Sequence, residues 1–132
     1  MIYIGNFLHV TDQQEVLESE RRHGEFSLII ESDNHETAIK KFKDRIVELR
    51  KSSDFFQGEC RVFFTQLLEF DSFPKTQAMM LNYKSIVGDP FLPFIGCSIP
   101  TGESDSCRIF DWKNNQPEID GENERLFLEF KN

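Results

Sequence analysis

The sequence predicts an α+β fold in which one long helix packs on a mainly antiparallel sheet. Residues 34–51 carry apolar side chains at helical spacing, whereas the segments on either side alternate between apolar and polar residues as β-strands do. Two strands, the helix and then about four more strands give a sheet of about six strands with the helix on one face. The length of 132 residues is typical of a single domain, so we expect one domain over residues 1–132.

Two strands are expected before the helix. Residues 1–10 alternate, and their apolar face is interrupted by Asn6 and consists of Ile2, Ile4, Leu8 and Val10. Residues 25–31 also alternate, and their apolar face consists of Phe26, Leu28 and Ile30. Both patterns are typical of strands that direct one face to a core.

The connection over residues 11–24 allows two interpretations. Thr11 and Gln14 fit a capping box and a glycine at the end of the segment fits a helix stop, which favours a short helix. However, Val16 and Leu17 are its only large aliphatic side chains, so little of such a helix is anchored. A mobile excursion between the two strands is the alternative.

Residues 34–51 form the clearest predicted element, an amphipathic helix. Asp33 is suited to the N-cap, and Glu36, three residues later, is placed to complete a capping box. The apolar stripe at helical spacing consists of Ala38, Ile39, Phe42, Ile46 and Leu49. We therefore expect this stripe to pack on the sheet.

The remaining strands are expected after the helix. Residues 60–70 are partly apolar on both faces, which predicts a central strand covered on both sides, or by the helix on one side and a partner on the other. Residues 77–86 alternate, with Met79, Leu81 and Tyr83 on one face. Three further extended segments are expected at residues 91–99, 107–112 and 125–130. The β-helix-β unit over residues 25–70 fits a right-handed crossover between parallel strands.

Composition and charge exclude several classes of function. The formal net charge of −8 disfavours nucleic acid and anionic membranes as partners, because phosphates are bound largely through Lys and Arg. No apolar run approaches the roughly 20 residues of a membrane-spanning helix, and the start of the chain lacks the features of a signal peptide. The three cysteines are odd in number and include no Cys-x-x-Cys pair, which indicates reduced thiols and a cytoplasmic protein.

Patterns for catalysis and metal binding are weak. The His and Cys residues are scattered, and no phosphate-binding glycine pattern occurs, so we expect no metal and no cofactor. One enzymatic alternative is a pocket between sheet and helix that uses Cys97, Asp105 and His35. Alternation in FIGCSI instead places Cys97 on one apolar face with Ile95 and Ile99, which favours a buried thiol.

Charge distribution and aromatic content favour a protein partner. Lys40 to Lys51 contains six basic and two acidic residues, so this stretch carries +4 and the rest of the chain carries −12. A basic helix on an acidic body suits a second copy of the chain or an acidic partner, although a solubilising outer face is the simpler interpretation. The chain also contains 14 phenylalanines, and Phe prefers a core or a dry interface.

The candidate interface has an apolar part and an acidic part. The apolar part follows a turn, is stiffened by prolines and consists of Phe91, Leu92 and Phe94. The acidic part lies in a polar loop and consists of Glu118, Asp120, Glu122 and Glu124. We therefore expect a small acidic non-enzymatic module that binds a protein partner or self-associates, one version being an inhibitor or immunity-type protein that caps a basic target.

Overall fold

The computed structural model describes residues 1–89 and 128–131. In chain order its elements are β1 (Ile2–Thr11), a 3₁₀ turn (Glu18–Glu20), β2 (Arg22–Glu31), α1 (His35–Ser52) and β3 (Cys60–Phe70). The chain divides into two compact units, Met1–Leu81 and Asn82–Asn132. All of these elements belong to the first unit, and the described residues of the second contain neither helix nor strand. The single domain expected over residues 1–132 stays a prediction.

The described strands form one antiparallel sheet with the order β2-β1-β3. β1 pairs antiparallel with both neighbours, from Ile2 opposite Glu31 and Phe70 to Thr11 opposite Arg22 and Cys60. β2 and β3 therefore run parallel to each other without being neighbours, and α1 lies in the connection between them. The α+β class and the single helix on an antiparallel sheet are as predicted.

The prediction of about six strands is wrong, because the described sheet has three. Residues 77–86 alternate in sequence, yet the structure assigns them no strand, and Tyr83 is 78% exposed. Alternation shows which side chains share a face, whereas a strand also needs a neighbour to receive its backbone hydrogen bonds. The segments expected at residues 91–99 and 107–112 lie outside the described residues, and Leu128 to Lys131 contain no strand.

Helix α1 confirms the predicted amphipathic helix to within one residue at each end. Its buried residues are Ala38, Phe42 and Leu49. The N-cap is Asn34, whose side-chain oxygen accepts a hydrogen bond from the Thr37 backbone N–H at 2.8 Å. The N-cap predicted at Asp33 is wrong by one residue, since Asn and Asp are equally suited to this position and the choice depends on where the chain turns.

The core lies between α1 and one face of the sheet and is largely aromatic. Its buried cluster consists of Tyr3, Phe7, Ala38 and Phe42. Partly buried apolar side chains packed against this cluster are Phe26, Leu28, Ile30, Ile46 and Leu67. The predicted core face of β2 is confirmed.

The predicted core face of β1 is wrong. The side chains that α1 covers alternate from Tyr3 through Gly5 to Phe7, so Ile4 and Leu8 lie on the opposite face of the sheet. Gly5 is required where the helix approaches closely, since a Cβ there would lie 2.9 Å from the rings of both Phe7 and Phe42. Counting aliphatic side chains on each face of β1 indicated the wrong face, because the core face consists of two aromatic residues and a glycine.

The β1–β2 connection turns without an α-helix. Its only helical element is the 3₁₀ turn, and Gln13 donates a side-chain hydrogen bond to the Thr11 carbonyl at 3.0 Å in place of a capping box. Arg21 closes the excursion by donating to the backbone carbonyls of Glu15 and Val16, each at 2.8 Å. The short helix considered for this segment is therefore wrong, because too few apolar side chains anchor it.

Candidate interaction surface

The interface residues predicted from the sequence lie outside the described residues. They are Phe91, Leu92 and Phe94 together with Glu118, Asp120, Glu122 and Glu124. Cys97 and Asp105 of the enzymatic alternative also lie outside them, while His35 is the exposed first residue of α1. Within the described residues, the structure therefore brings no two members of either predicted set together.

β3 is an edge strand of the described sheet. Over residues 1–89 and 128–131 it pairs with β1 on one side and with no strand on the other. In the described sheet β1, and not the strand at residues 60–70, occupies the central position. β3 does carry apolar side chains on both faces, as the prediction required, but it is an edge strand of the described sheet.

The middle of β3 is apolar, uncharged and partly open to solvent. The run from Phe63 to Leu68 reads FFTQLL and contains no charged residue and no proline. Phe63 is 48% and Phe64 is 41% exposed. Edge strands are normally guarded by charges or prolines, because their free backbone groups otherwise pair with another strand. This run therefore lacks the charges and prolines that guard most edge strands.

The uncharged run at the opposite edge of the sheet is shorter. β2 carries Arg22 and Glu25 in its first half and Glu31 at its end, which leaves residues 26–30 uncharged, whereas the charges of β3 lie near its two ends, at Arg61 and Glu69. Charged side chains along an edge oppose pairing with a further apolar strand. Of the two edges, that of β3 is the better suited to strand addition.

A β-bulge at Thr65 decides which way the adjacent Phe63 and Phe64 of β3 point. Asn6 pairs with Gln66 and the next residue, Phe7, pairs with Phe64, so β3 holds one extra residue, Thr65. The Thr65 hydroxyl donates to the Asn6 carbonyl at 2.9 Å and so satisfies the bulge locally. Without this extra residue the side chains of Phe63 and Phe64 would exchange faces.

The bulge places one phenylalanine on each face of the edge. Phe64 lies on the helix side, where its ring meets Phe7 edge-on with 4.9 Å between ring centroids. Phe63 pairs with Leu8 and therefore lies on the open face, which α1 does not cover. The edge of β3 consequently presents apolar surface above and below the plane of the sheet.

A row of polar side chains crosses the middle of the open face. The Asn6 side-chain amide donates to the Gln66 side-chain oxygen at 2.8 Å, and the Asn6 side-chain oxygen accepts from the Ser27 hydroxyl at 2.6 Å. Ile4 and Leu8 lie on either side of Asn6 in the same strand. The row therefore divides the apolar surface of this face into two smaller patches.

The end of the sheet near His9 is closed by aromatic packing. The ring of Phe56 lies 5.0 Å from that of Phe26 and 5.7 Å from that of His9. Phe56 has φ 61, a conformation uncommon for a non-glycine residue, and its carbonyl accepts a hydrogen bond from the Arg50 guanidinium at 2.6 Å. These contacts indicate a structural cap that joins the helix exit to the sheet.

Burial disfavours the charged forms of the titratable groups at this end. Desolvation lowers the pKa of His9, and the neighbouring His23 lowers it further. Among the described residues the His9 Nδ1 atom has no hydrogen-bond partner. Desolvation also raises the pKa of the Cys60 thiol, which Arg50 lowers in part and Asp12 raises. A neutral imidazole and a protonated thiol describe packing better than a catalytic pair.

The described residues hold no group of three or more His, Cys, Asp or Glu side chains arranged to bind a metal ion. Over the same part of the chain, no helix has the length and apolar character needed to cross a bilayer. The chain matches no protein-family model, no curated protein sequence and no solved structure. The surface itself is therefore the basis for a functional proposal.

Sequence reasoning missed the β3 edge, although a signal for it was present. The uncharged stretch FFTQLL has the composition of an aggregation-prone segment, which a soluble chain normally buries or pairs. We interpreted it as a central strand because central strands are apolar on both faces. The order β2-β1-β3, which the sequence pattern does not encode directly, places this segment at the edge of the described sheet.

Proposed function

We propose that the chain is a non-enzymatic protein-interaction module that self-associates, with β3 of one copy added to β3 of a second copy. The observation that carries this proposal is the apolar run from Phe63 to Leu68, which holds no charge and no proline, on the described edge of the sheet. Strand addition satisfies free backbone groups and buries alternate side chains on both faces of the extended sheet.

The charges of β3 allow a second copy as the occupant in the antiparallel direction. Glu59 and Arg61 lie at or just before one end of the strand and cancel, whereas Glu69 and Asp71 make the other end acidic. When two copies pair antiparallel, the acidic end of each lies beside the neutral end of its partner. A parallel arrangement would place the two acidic ends together. The charges of β3 therefore favour antiparallel over parallel pairing of two copies.

The test is sedimentation velocity of the full chain over a range from about 1 to about 200 μM, because mass action converts monomer to dimer as concentration rises. We expect a concentration-dependent dimer for the wild type and a monomer for Phe63→Lys. Ile29→Lys is the matched control, since Ile29 is 55% exposed and lies on the same open face of β2. It should dimerise as the wild type does.

Two results would contradict the proposal. One is a wild-type chain that stays monomeric at every concentration, which would mean that β3 has no second copy as partner. The other is a Phe63→Lys variant that dimerises like the wild type while circular dichroism shows an unchanged fold. That result would place the contact elsewhere on the surface.

The other functions expected from the sequence stay predictions. The immunity-type version depends on the acidic stretch from Glu118 to Glu124, and the enzymatic alternative depends on Cys97 and Asp105. The exposed lysines of α1, such as Lys41 and Lys43, suit an acidic partner, but a solubilising outer face accounts for them equally well.

A further inference from the structure

The bulge at Thr65 limits how two β3 strands can align. The alignment inferred below rests on the proposed self-association and specifies its register. We infer that two copies pair about a two-fold axis that passes between Thr65 and Gln66, so that Phe63 faces Leu68 of the second copy and Phe64 faces Leu67. The inference depends on which face of the sheet each residue of β3 occupies.

The pairing of β3 with β1 assigns these faces. Residues on the open face are those opposite Val10, Leu8, Asn6, Ile4 and Ile2, namely Arg61, Phe63, Gln66, Leu68 and Phe70. Residues on the helix side are those opposite Thr11, His9, Phe7, Gly5 and Tyr3, namely Cys60, Val62, Phe64, Leu67 and Glu69. Thr65 is the extra residue of the bulge, and odd and even positions exchange faces there.

An antiparallel pair about a two-fold axis keeps the faces of the sheet aligned, so directly opposed residues must share a face. The alignment with Thr65 opposite Thr65 of the second copy fails this condition. It would oppose Arg61 on the open face to Glu69 on the helix side, although their charges attract. Because the bulge reverses the alternation, a register shifted by one residue brings the faces into agreement.

Two such registers overlap along nearly the whole strand, and side-chain chemistry distinguishes them. The register that opposes Phe63 to Leu68 also opposes Thr65 to Gln66, so apolar groups meet apolar groups and polar groups meet polar groups. The register displaced by two residues opposes Phe63 to Gln66 and Arg61 to Leu68. Cross-strand pairs of like polarity stabilise a sheet, so the first register is favoured.

This register extends the sheet to twice its width and places both helices on the same side. The aromatic ring that each copy exposes on each face gains a leucine neighbour from the other copy. In this register Arg61 lies opposite Phe70 on the open face, and Val62 lies opposite Glu69 on the helix side.

Disulfide trapping tests the register, because a disulfide forms only when two Cα atoms lie within about 7 Å. In a background with Cys60, Cys97 and Cys107 replaced by serine, Glu69→Cys is mixed with Val62→Cys and oxidised. These two positions lie opposite each other in the inferred register, on the helix side. We expect a cross-linked heterodimer in this mixture and about tenfold less cross-linking when either variant is oxidised alone.

The matched comparison uses the chain's own cysteine. In the register displaced by two residues, position 60 of one copy lies opposite position 69 of the other. A copy that retains only Cys60 is therefore mixed with the Glu69→Cys variant and oxidised. Two results overturn the register while the proposed function stands. One is a disulfide between Cys60 and Glu69→Cys. The other is a dimer in sedimentation that forms no disulfide between Val62→Cys and Glu69→Cys. A wild-type chain that never dimerises overturns both.

A second measurement needs no substitution. Amide hydrogen exchange of the wild-type chain is compared at low and high concentration. We expect backbone N–H groups of β3 to gain at least about tenfold protection on association, because newly paired amides exchange only when the pair opens. Those of β2, at the other edge, should not change. Equal protection of both edges, or none at β3, overturns the inference.

Discussion

Gly5→Ala tests whether the core face of β1 is the one that α1 covers closely. A Cβ at this position would lie 2.9 Å from the Phe42 Cε2 atom and 2.9 Å from the Phe7 Cε2 atom. Both rings belong to the buried cluster and have little room to move. Overpacking of this kind costs about 1–3 kcal/mol, so we expect the free energy of unfolding to fall by about 2 kcal/mol.

The assay is urea unfolding followed by circular dichroism, with a double-mutant cycle that assigns the clash to Phe42. Phe42→Leu alone should destabilise, because it removes buried volume. Adding Gly5→Ala to Phe42→Leu should cost at least about 1 kcal/mol less than adding it to the wild type, since the smaller side chain leaves room for the methyl group.

The opposite outcome has an equally clear physical origin. Replacing glycine by alanine stabilises a protein by about 0.4–1 kcal/mol when the native position accepts the methyl group, because the unfolded chain loses freedom. A Gly5→Ala variant as stable as the wild type or more stable, or a cycle that is strictly additive, would refute close packing of α1 on β1. It would also indicate that the face of β1 with Ile4 and Leu8 is the core face.

Two further predictions concern the helix start and the sheet end. Asn34→Ala should lower the free energy of unfolding by about 1 kcal/mol because it removes the N-cap hydrogen bond. Asp33→Ala should change this free energy by less than about 0.5 kcal/mol. Equal effects of the two substitutions in urea unfolding would contradict Asn34 as the N-cap. His9 has a folded-state pKa below the usual 6.5, so the unfolded chain binds its proton first. The stability that neutral His9 contributes should be fully present above about pH 6.5 and should be lost as pH falls through the folded-state pKa. The free energy of unfolding should therefore fall more steeply with decreasing pH in the wild type than in His9→Gln. Parallel pH profiles of urea unfolding for the two chains would contradict this.

The helix was predictable from the sequence because its signals are local. A stripe of apolar residues at helical spacing and polar capping residues ahead of it act within a few positions of one another, and α1 begins and ends within one residue of the prediction. The segments that form β2 and β3 were found for a similar reason, since each alternates or is apolar along its length.

The sheet order and the core face of β1 were not predictable in this way, because both depend on residues distant in sequence. Gly5 belongs to the core only because Phe42, in a different element, approaches it. The bulge at Thr65 depends on the alignment of β3 with β1, and one inserted residue reverses every side chain that follows. The candidate surface follows from these two features, so the sequence pattern alone could not place it.

The polar row on the open face is the reason to place the contact at the edge and not on the face. Hydrogen bonds to Ser27 and Gln66 use one donor and one acceptor of the Asn6 amide, whose full capacity is two donors and two acceptor lone pairs. A partner stacked on the open face would remove water from the rest of this capacity, and each buried polar group left without a partner costs about 1–3 kcal/mol. A strand added beside β3 does not cover Asn6, since β1 lies one strand further in. Edge addition thus buries the apolar run of β3 and leaves the polar row in water.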